Sequence, residues 1–294
     1  MRNAVFIHTN PKQIVGALVA QHALRSRSAA PERFDVRILQ TTDFPAFERF
    51  EGRRYLREGQ QVLWRNDDLQ SFTPLRFAVP EQMGYAGRAV LIDPDIFALG
   101  DINALLERDM GGAAVMARQM DGDFRRPLHY ASSVMLMDCA RLAHWQWEAD
   151  FERTFRSERD YRDWMWLLLE PPGSVAALEP EWNDFDRLTP ETKLLHNTHR
   201  RTQPWKTGLP SDFTPRGTTL TSRAGIWLRK LTGRGAGRYR RHPDPAQERL
   251  FFRMLGECLD NGSIDRALLD VEIARGHVRR DAMDCVARAA HAIA

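Results

Sequence analysis

Residues 4–39, AVFIHTNPKQIVGALVAQHALRSRSAAPERFDVRIL, hold two short apolar runs on either side of a helical pattern. Ala4-Val5-Phe6-Ile7 has the length and continuity of a strand covered on both faces. Asn10 suits a helix N-cap and Pro11 the first turn that follows it. Ile14, Val15, Leu18 and Leu24 then recur at helical spacing as far as about Arg27. Phe34 to Leu39 reads as a second strand. The order β-α-β predicts an α/β fold with a parallel, doubly wound sheet that takes its ligand at the carboxyl ends of the strands.

The same alternation continues down the chain. Leu75 to Met83 reads as a helix interrupted at Pro80, leading into an apolar strand over Arg88–Ile92. Val134–Met137 and Lys193–His196 are further strand candidates. After about residue 212 the texture becomes Gly/Arg-rich, and helical segments follow near 245–259, 264–275 and 279–292. The expected organisation is one α/β domain over 1–211, then a basic linker and small helical segment over 212–294.

With 294 residues, 43% of them hydrophobic, the chain can bury one large core. It has no apolar stretch of about 18 residues and no basic-then-apolar leader, so a cytoplasmic protein is expected. Cys139, Cys258 and Cys285 are odd in number and widely spaced, which fits neither a disulfide framework nor a zinc site. The net charge of +3 is unevenly placed: from His199 to Arg241 the basic residues face one acid, Asp212. Such a run suits a solvated face, a diphosphate, an anionic lipid surface or nucleic acid. Nucleic acid ranks last, because no helix-turn-helix, RNP-like or zinc-finger pattern accompanies the basic residues.

At residues 89–102, AVLIDPDIFALGDI, an apolar strand ends in two carboxylates flanking a proline. Residues i and i+2 of a strand face one side, so Asp93 and Asp95 are expected to project together. Pro94, which has no N–H, suits the point where pairing stops. Paired carboxylates persist if one is protonated, if both are solvated, or if a divalent cation lies between them. A turn with both side chains capping backbone N–H groups is the structural alternative. A phosphatase of the haloacid dehalogenase type fits poorly, because Ile96-Phe97 follows the second Asp.

Four stretches in order bear on that choice: LRFAVPEQM (75–83), VLIDPDIFALGDI (90–102), YASSVMLMD (130–138), and EPEWNDF (179–185) followed by LLHNTHRRTQPWKTG (194–208). Together they resemble glycosyltransferase family 8, the group of glycogenin and the bacterial lipopolysaccharide galactosyl- and glucosyltransferases. The resemblance implies a GT-A fold, with a Rossmann-like, mostly parallel sheet flanked by helices. It implies Mn²⁺ (or Mg²⁺) held by Asp93, Asp95 and His196, and a UDP-sugar as donor substrate. It also implies nucleotide contacts from His8, Thr9 and Asn10, a place for Arg76 near the diphosphate or donor sugar, and a sugar-side role for Ser132. Lys206, Arg200 or Arg201 would supply positive charge to the diphosphate, and Asp163, the best match to an acceptor-side carboxylate, is the candidate catalytic nucleophile, although a same-face attack guided by the leaving phosphate needs none. For His8-Thr9-Asn10 the structural alternative is a helix cap, and for Arg76 a surface salt bridge. Two positions depart from the family pattern: Ala131 stands where it has Asn, and Gln203 where it has Lys.

The implied activity is a retaining, metal-dependent glycosyltransferase moving a hexose to an acceptor hydroxyl, on a bacterial surface glycan or glycolipid. The alternative is a catalytically silent nucleotide-sugar-binding or scaffold protein of the same fold, motivated by Ala131 and Gln203. Trp227, Leu228 and Leu231 beside Arg229 and Lys230 suggest peripheral contact with the inner face of a membrane; a segment folded onto the catalytic domain is the alternative.

Overall fold

The computed structural model describes residues 2–122, 127–213 and 237–291. Its contacts divide the chain into two compact units, one formed by 1–66 and 71–196, the other by 67–70 and 197–294.

The first unit contains eleven strands among its described residues: β1 (Asn3–Thr9), β2 (Phe34–Gln40), β3 (Arg54–Arg57), β4 (Gln60–Leu63), β5 (Arg88–Ile92), β6 (Ile96–Ala98), β7 (Val115–Met120), β8 (His129–Asp138), β9 (Val175–Leu178), β10 (Asp184–Phe185) and β11 (Leu194–His196). Six form the central sheet in the order β2-β1-β5-β8-β7-β9. A three-stranded sheet β10-β11-β6 and the hairpin β3-β4 complete the set. The unit is thus mixed α/β, its central sheet flanked by helices.

The β1-helix-β2 unit forms as expected, with Asn10 capping a short 3-10 turn before the helix Ile14–Ser26. β1 lies parallel to both β2 and β5. The central sheet is mostly parallel, as expected, with β8 running antiparallel to β5 and to β7. Only residues 121–128 link β7 to β8, shorter than the dozen or so that a parallel crossover needs.

Strand alternation sends Ala4 and Phe6 of β1, with Ala89 and Leu91 of β5, into one large core. That core is aromatic: Phe77 stacks on Trp164 at 4.4 Å and meets Trp145 at 4.6 Å. The opposite side of β1 meets the helix Ile14–Ser26, whose Val15, Val19 and Leu24 are buried.

The second unit is built on the helices Pro245–Asp260, Arg266–Ala274 and Ala282–His291, close to their expected bounds. Trp205 stacks on Phe251 at 4.7 Å. Gly256 lets two of these helices approach closely, since a Cβ there would lie 3.1 Å from the Val286 side chain. The three cysteines are buried free thiols. No helix among the described residues is long and apolar enough to cross a membrane. The proposed membrane-facing residues Trp227, Leu228, Arg229, Lys230 and Leu231 lie outside the described residues.

Candidate functional site

The strand registers assemble the site. Ile7 of β1 pairs with Ile92 of β5, so the next residues, His8 (still paired with Leu39 of β2) and Asp93, lie side by side where the β1–β5 pairing ends. β5 pairs with β8 up to Ile92–Val134, and Asp93 N–H then donates to Ser133 O at 3.1 Å. This is the carboxyl end of both parallel strands, where open α/β sheets bind ligands.

Asp93 and Asp95 are brought together differently from the strand geometry expected of them. β5 ends at Ile92, and the pair sits in a turn closed by Ile96 N–H donating to Asp93 O at 3.2 Å. Pro94 has no N–H for a ladder, so pairing stops there. The chain then enters β6, which lies antiparallel to β11 with His196 opposite Ile96. That register delivers His196 beside the second aspartate: its Nε2 is 3.4 Å from Asp95 Oδ1. Ligand atoms of Asp93, Asp95 and His196 all lie within 4.8 Å of one another.

Ligand distances of about 2.0–2.6 Å allow one ion to touch atoms separated by that much. The donor set, two carboxylates and an imidazole, suits Mn²⁺ or a similar divalent ion. His196 is also oriented for ligation, because Nδ1 is 2.9 Å from Asn183 Oδ1 and Nε2 faces the aspartates. The residues fit a divalent cation.

Known structures similar to this chain are glycosyltransferases. The alignment with glycosyltransferase GlyE of Streptococcus pneumoniae TIGR4 has 14% identity and a TM-score of 0.49, over 90% of this chain and 64% of that one. The chain therefore spans less than two thirds of the length of that structure. Galactosyltransferase LgtC, solved with donor and acceptor sugar analogs, aligns at 12% identity and a TM-score of 0.48, over 80% of this chain and 96% of that one. Mouse xyloside xylosyltransferase 1 aligns at 13% identity and a TM-score of 0.44, over 68% of this chain and 98% of that one. No known protein family and no curated protein matches the sequence. At such identities nothing about the site transfers, and its chemistry rests on the residues of this chain.

Arg76, on the 3-10 segment Thr73–Ala78, reaches Asp93 with Nη2 at 2.8 and 2.6 Å from the two carboxylate oxygens. Its Nη1 donates to Ser132 Oγ at 2.9 Å, and Ser132 donates in turn to Met165 O at 2.5 Å. Arg76 thus forms a salt bridge, but a buried one with Asp93 of the site, not the surface salt bridge expected as its structural alternative. His8 is fully buried, with Nε2 3.0 Å from Asp93 Oδ1 and its ring 4.9 Å from Phe72.

Burial disfavours charge on both His8 and Asp93, with opposite outcomes. The His8 pKa is lowered because burial outweighs the nearby Asp93. Burial raises Asp93, but the Arg76 guanidinium and then His8 and His196 outweigh it and hold the carboxyl well below the usual range.

Thr9 ends β1 and Asn10 follows it, and both are also buried. Asn10 Oδ1 accepts from Lys12 N–H at 3.1 Å, the cap geometry, and Nδ2 donates to Ser71 Oγ at 3.0 Å. Asp163 lies in the first turn of the helix Tyr161–Met165, and Arg162 Nε donates to its Oδ1 at 3.4 Å. Nothing described brings it to the Asp93–Asp95–His196 cluster, although its helix adjoins Ser132 through Met165. Lys206 lies in the second unit, fully buried, with Nζ 2.5 Å from Asp212 Oδ2.

Sequence reading missed Asn183 and Ser133. Asn183 is buried and bonds both His196 and Ser133, at 2.9 Å each. The signal was available, since Trp182-Asn183 lies inside the quoted EPEWNDF stretch.

Proposed function

We propose that this chain is a metal-dependent glycosyltransferase that moves a hexose from a UDP-sugar to an acceptor hydroxyl with retention of anomeric configuration. The supporting observation is the convergence of Asp93, Asp95 and His196 within 4.8 Å at the carboxyl ends of parallel strands. Asp93, Asp95 and Nε2 of His196 would hold Mn²⁺, with Mg²⁺ as the alternative ion. When bound, the ion supplies Lewis-acid neutralisation of charge on the departing diphosphate.

The chain's own residues prepare that setting. Arg76 keeps Asp93 ionised and fixes its rotamer, while Ser132 fixes Arg76. A buried guanidinium here would also stabilise charge growing on the leaving group, because little water screens it. His8, Thr9 and Asn10 are assigned to the nucleotide side, Ser132 to the donor sugar, and Lys206, with Arg200 or Arg201, to the diphosphate. Asp163 is assigned to the acceptor side. The catalytic segment is 1–211. The acceptor is a carbohydrate or glycolipid, and the basic segment 212–294 would place the protein at the inner membrane face.

The test is a UDP-release screen over common UDP-sugars with Mn²⁺. Turnover with at least one donor, abolished by Asp95→Ala, is expected. Mn²⁺-independent release, or release undiminished in that variant, would overturn the metal assignment. One observation favours a second reading, a silent nucleotide-sugar binder: both Asp93 oxygens already contact Arg76. Calorimetric binding of UDP without turnover of any donor would select it.

A further inference from the structure

His196 carries two ring nitrogens with different neighbours. Nδ1 lies 2.9 Å from Asn183 Oδ1, and Nε2 faces Asp95 Oδ1 at 3.4 Å. A neutral imidazole has one N–H and one lone pair, and an amide oxygen can only accept. The contact at Nδ1 is therefore a hydrogen bond only if the proton resides there. The Nε2 lone pair then points toward the aspartates. In the other tautomer, two acceptors would face each other at Asn183, and Nε2–H would donate to Asp95 and have no lone pair to ligate with.

Asn183 is itself held from three sides. It is fully buried, its Nδ2 donates to Ser133 Oγ at 2.9 Å, and its backbone carbonyl accepts from Arg118 Nη1 at 2.6 Å. Arg118 also lies over the Phe185 ring, with 4.3 Å to the centroid, and Phe185 packs edge-on against His196 at 5.5 Å. Ser133 accepts Asp93 N–H on its backbone oxygen at 3.1 Å while its hydroxyl holds Asn183. One residue of β8 thus ties the first aspartate to the group that orients the histidine.

We propose that Asn183, braced by Ser133, is a positioning residue that fixes His196 in its Nδ1–H tautomer and presents Nε2 to a divalent cation shared with Asp93 and Asp95. Hydrogen bonds to the far nitrogen of a ligating histidine set its tautomer and ring orientation, and their loss typically weakens metal binding by about 10–100-fold. The proposal rests on the metal reading given above, but the tautomer can be measured without any metal.

The experiment is a long-range ¹H–¹⁵N correlation of the metal-free, histidine-labelled chain at about pH 8.5, where an ordinary imidazole is neutral. Comparison with His196→Gln assigns the resonance. Wild type should show the Nδ1–H form. Asn183→Leu, which removes the acceptor at similar size, should lose it, and Asn183→Asp, which keeps an acceptor, should retain it. Mn²⁺ titration of the same proteins should show affinity lowered about 10–100-fold in Asn183→Leu and within a few-fold of wild type in Asn183→Asp. A wild-type chain that binds Mn²⁺ with an Nε2–H ring overturns the role of Asn183 alone. So does an Asn183→Leu variant with unchanged tautomer and affinity. A wild-type chain that binds no Mn²⁺ overturns the metal reading itself, and with it the presentation of Nε2.

Discussion

Arg76 Nη2 contacts both carboxylate oxygens of Asp93, at 2.8 and 2.6 Å, with both side chains nearly buried. A buried ion pair need not stabilise a fold relative to apolar residues, but removing one partner strands the other charge. Arg76→Met should therefore lower unfolding free energy by about 3–5 kcal/mol in urea titrations. Arg76→Lys should rescue little, because an ammonium cannot serve Asp93 and Ser132 from one planar fork. Wild-type stability in Arg76→Met would contradict the assignment of Arg76 as the group that fixes Asp93.

Asp160 caps the helix that carries Asp163. Its oxygens accept from Arg162 N–H and Gly59 N–H, each at 2.9 Å. Burial raises its pKa, but backbone N–H groups of Gly59, Glu58, Arg162 and Asp163 together outweigh this and lower it. A depressed carboxyl contributes stability above its unfolded value, about 3.9, and loses it as pH falls through the folded value. Asp160→Asn should keep most of the cap and flatten the stability-pH slope below about pH 4. Asp160→Ala should cost about 0.5–2 kcal/mol at pH 7. An unchanged acid slope in Asp160→Asn would rule out Asp160 as a contributor to it.

Phe77 follows Arg76 directly and is fully buried between Trp145 and Trp164. Phe77→Ala should cost about 3–5 kcal/mol, through lost transfer energy plus the cavity left behind. Phe77→Leu should cost clearly less by the same reasoning. Equal losses for the two, read by thermal or chemical unfolding, would show that ring volume is not what the core requires.

The local signals in the sequence carried the opening β-α-β unit, the strand Arg88–Ile92 and the C-terminal helices, because a continuous apolar run or a helical period marks each of them. Asn10 is an instance: its cap is visible in Asn-Pro and recurs as an Oδ1 contact to Lys12. The antiparallel course of β8 was hidden, because an apolar run such as Val134–Met137 does not state its direction. The Asp93–Asp95 pair was legible as chemistry but not as geometry: a turn closed at Ile96 places it, not strand alternation. The approach of His196 depends on the pairing of β6 with β11, a long-range register that no local pattern specifies. Ser133 was missed for the same reason, whereas Asn183 lay inside the quoted EPEWNDF stretch and only its contacts were hidden. Their importance lies in what they touch across the fold, at 2.9 Å from each other and, for Asn183, from His196.

The central claim is that Asp93, Asp95 and His196 act together as a metal centre for transfer from a nucleotide sugar. The most direct measurement is UDP release from UDP-hexoses by the purified chain, with Mn²⁺ and then with EDTA, for wild type, Asp95→Ala and His196→Ala. The account predicts Mn²⁺-dependent release by wild type that EDTA removes and restored Mn²⁺ recovers, with both variants reduced to background. Release that persists in EDTA, or that either variant retains at the wild-type rate, would contradict it.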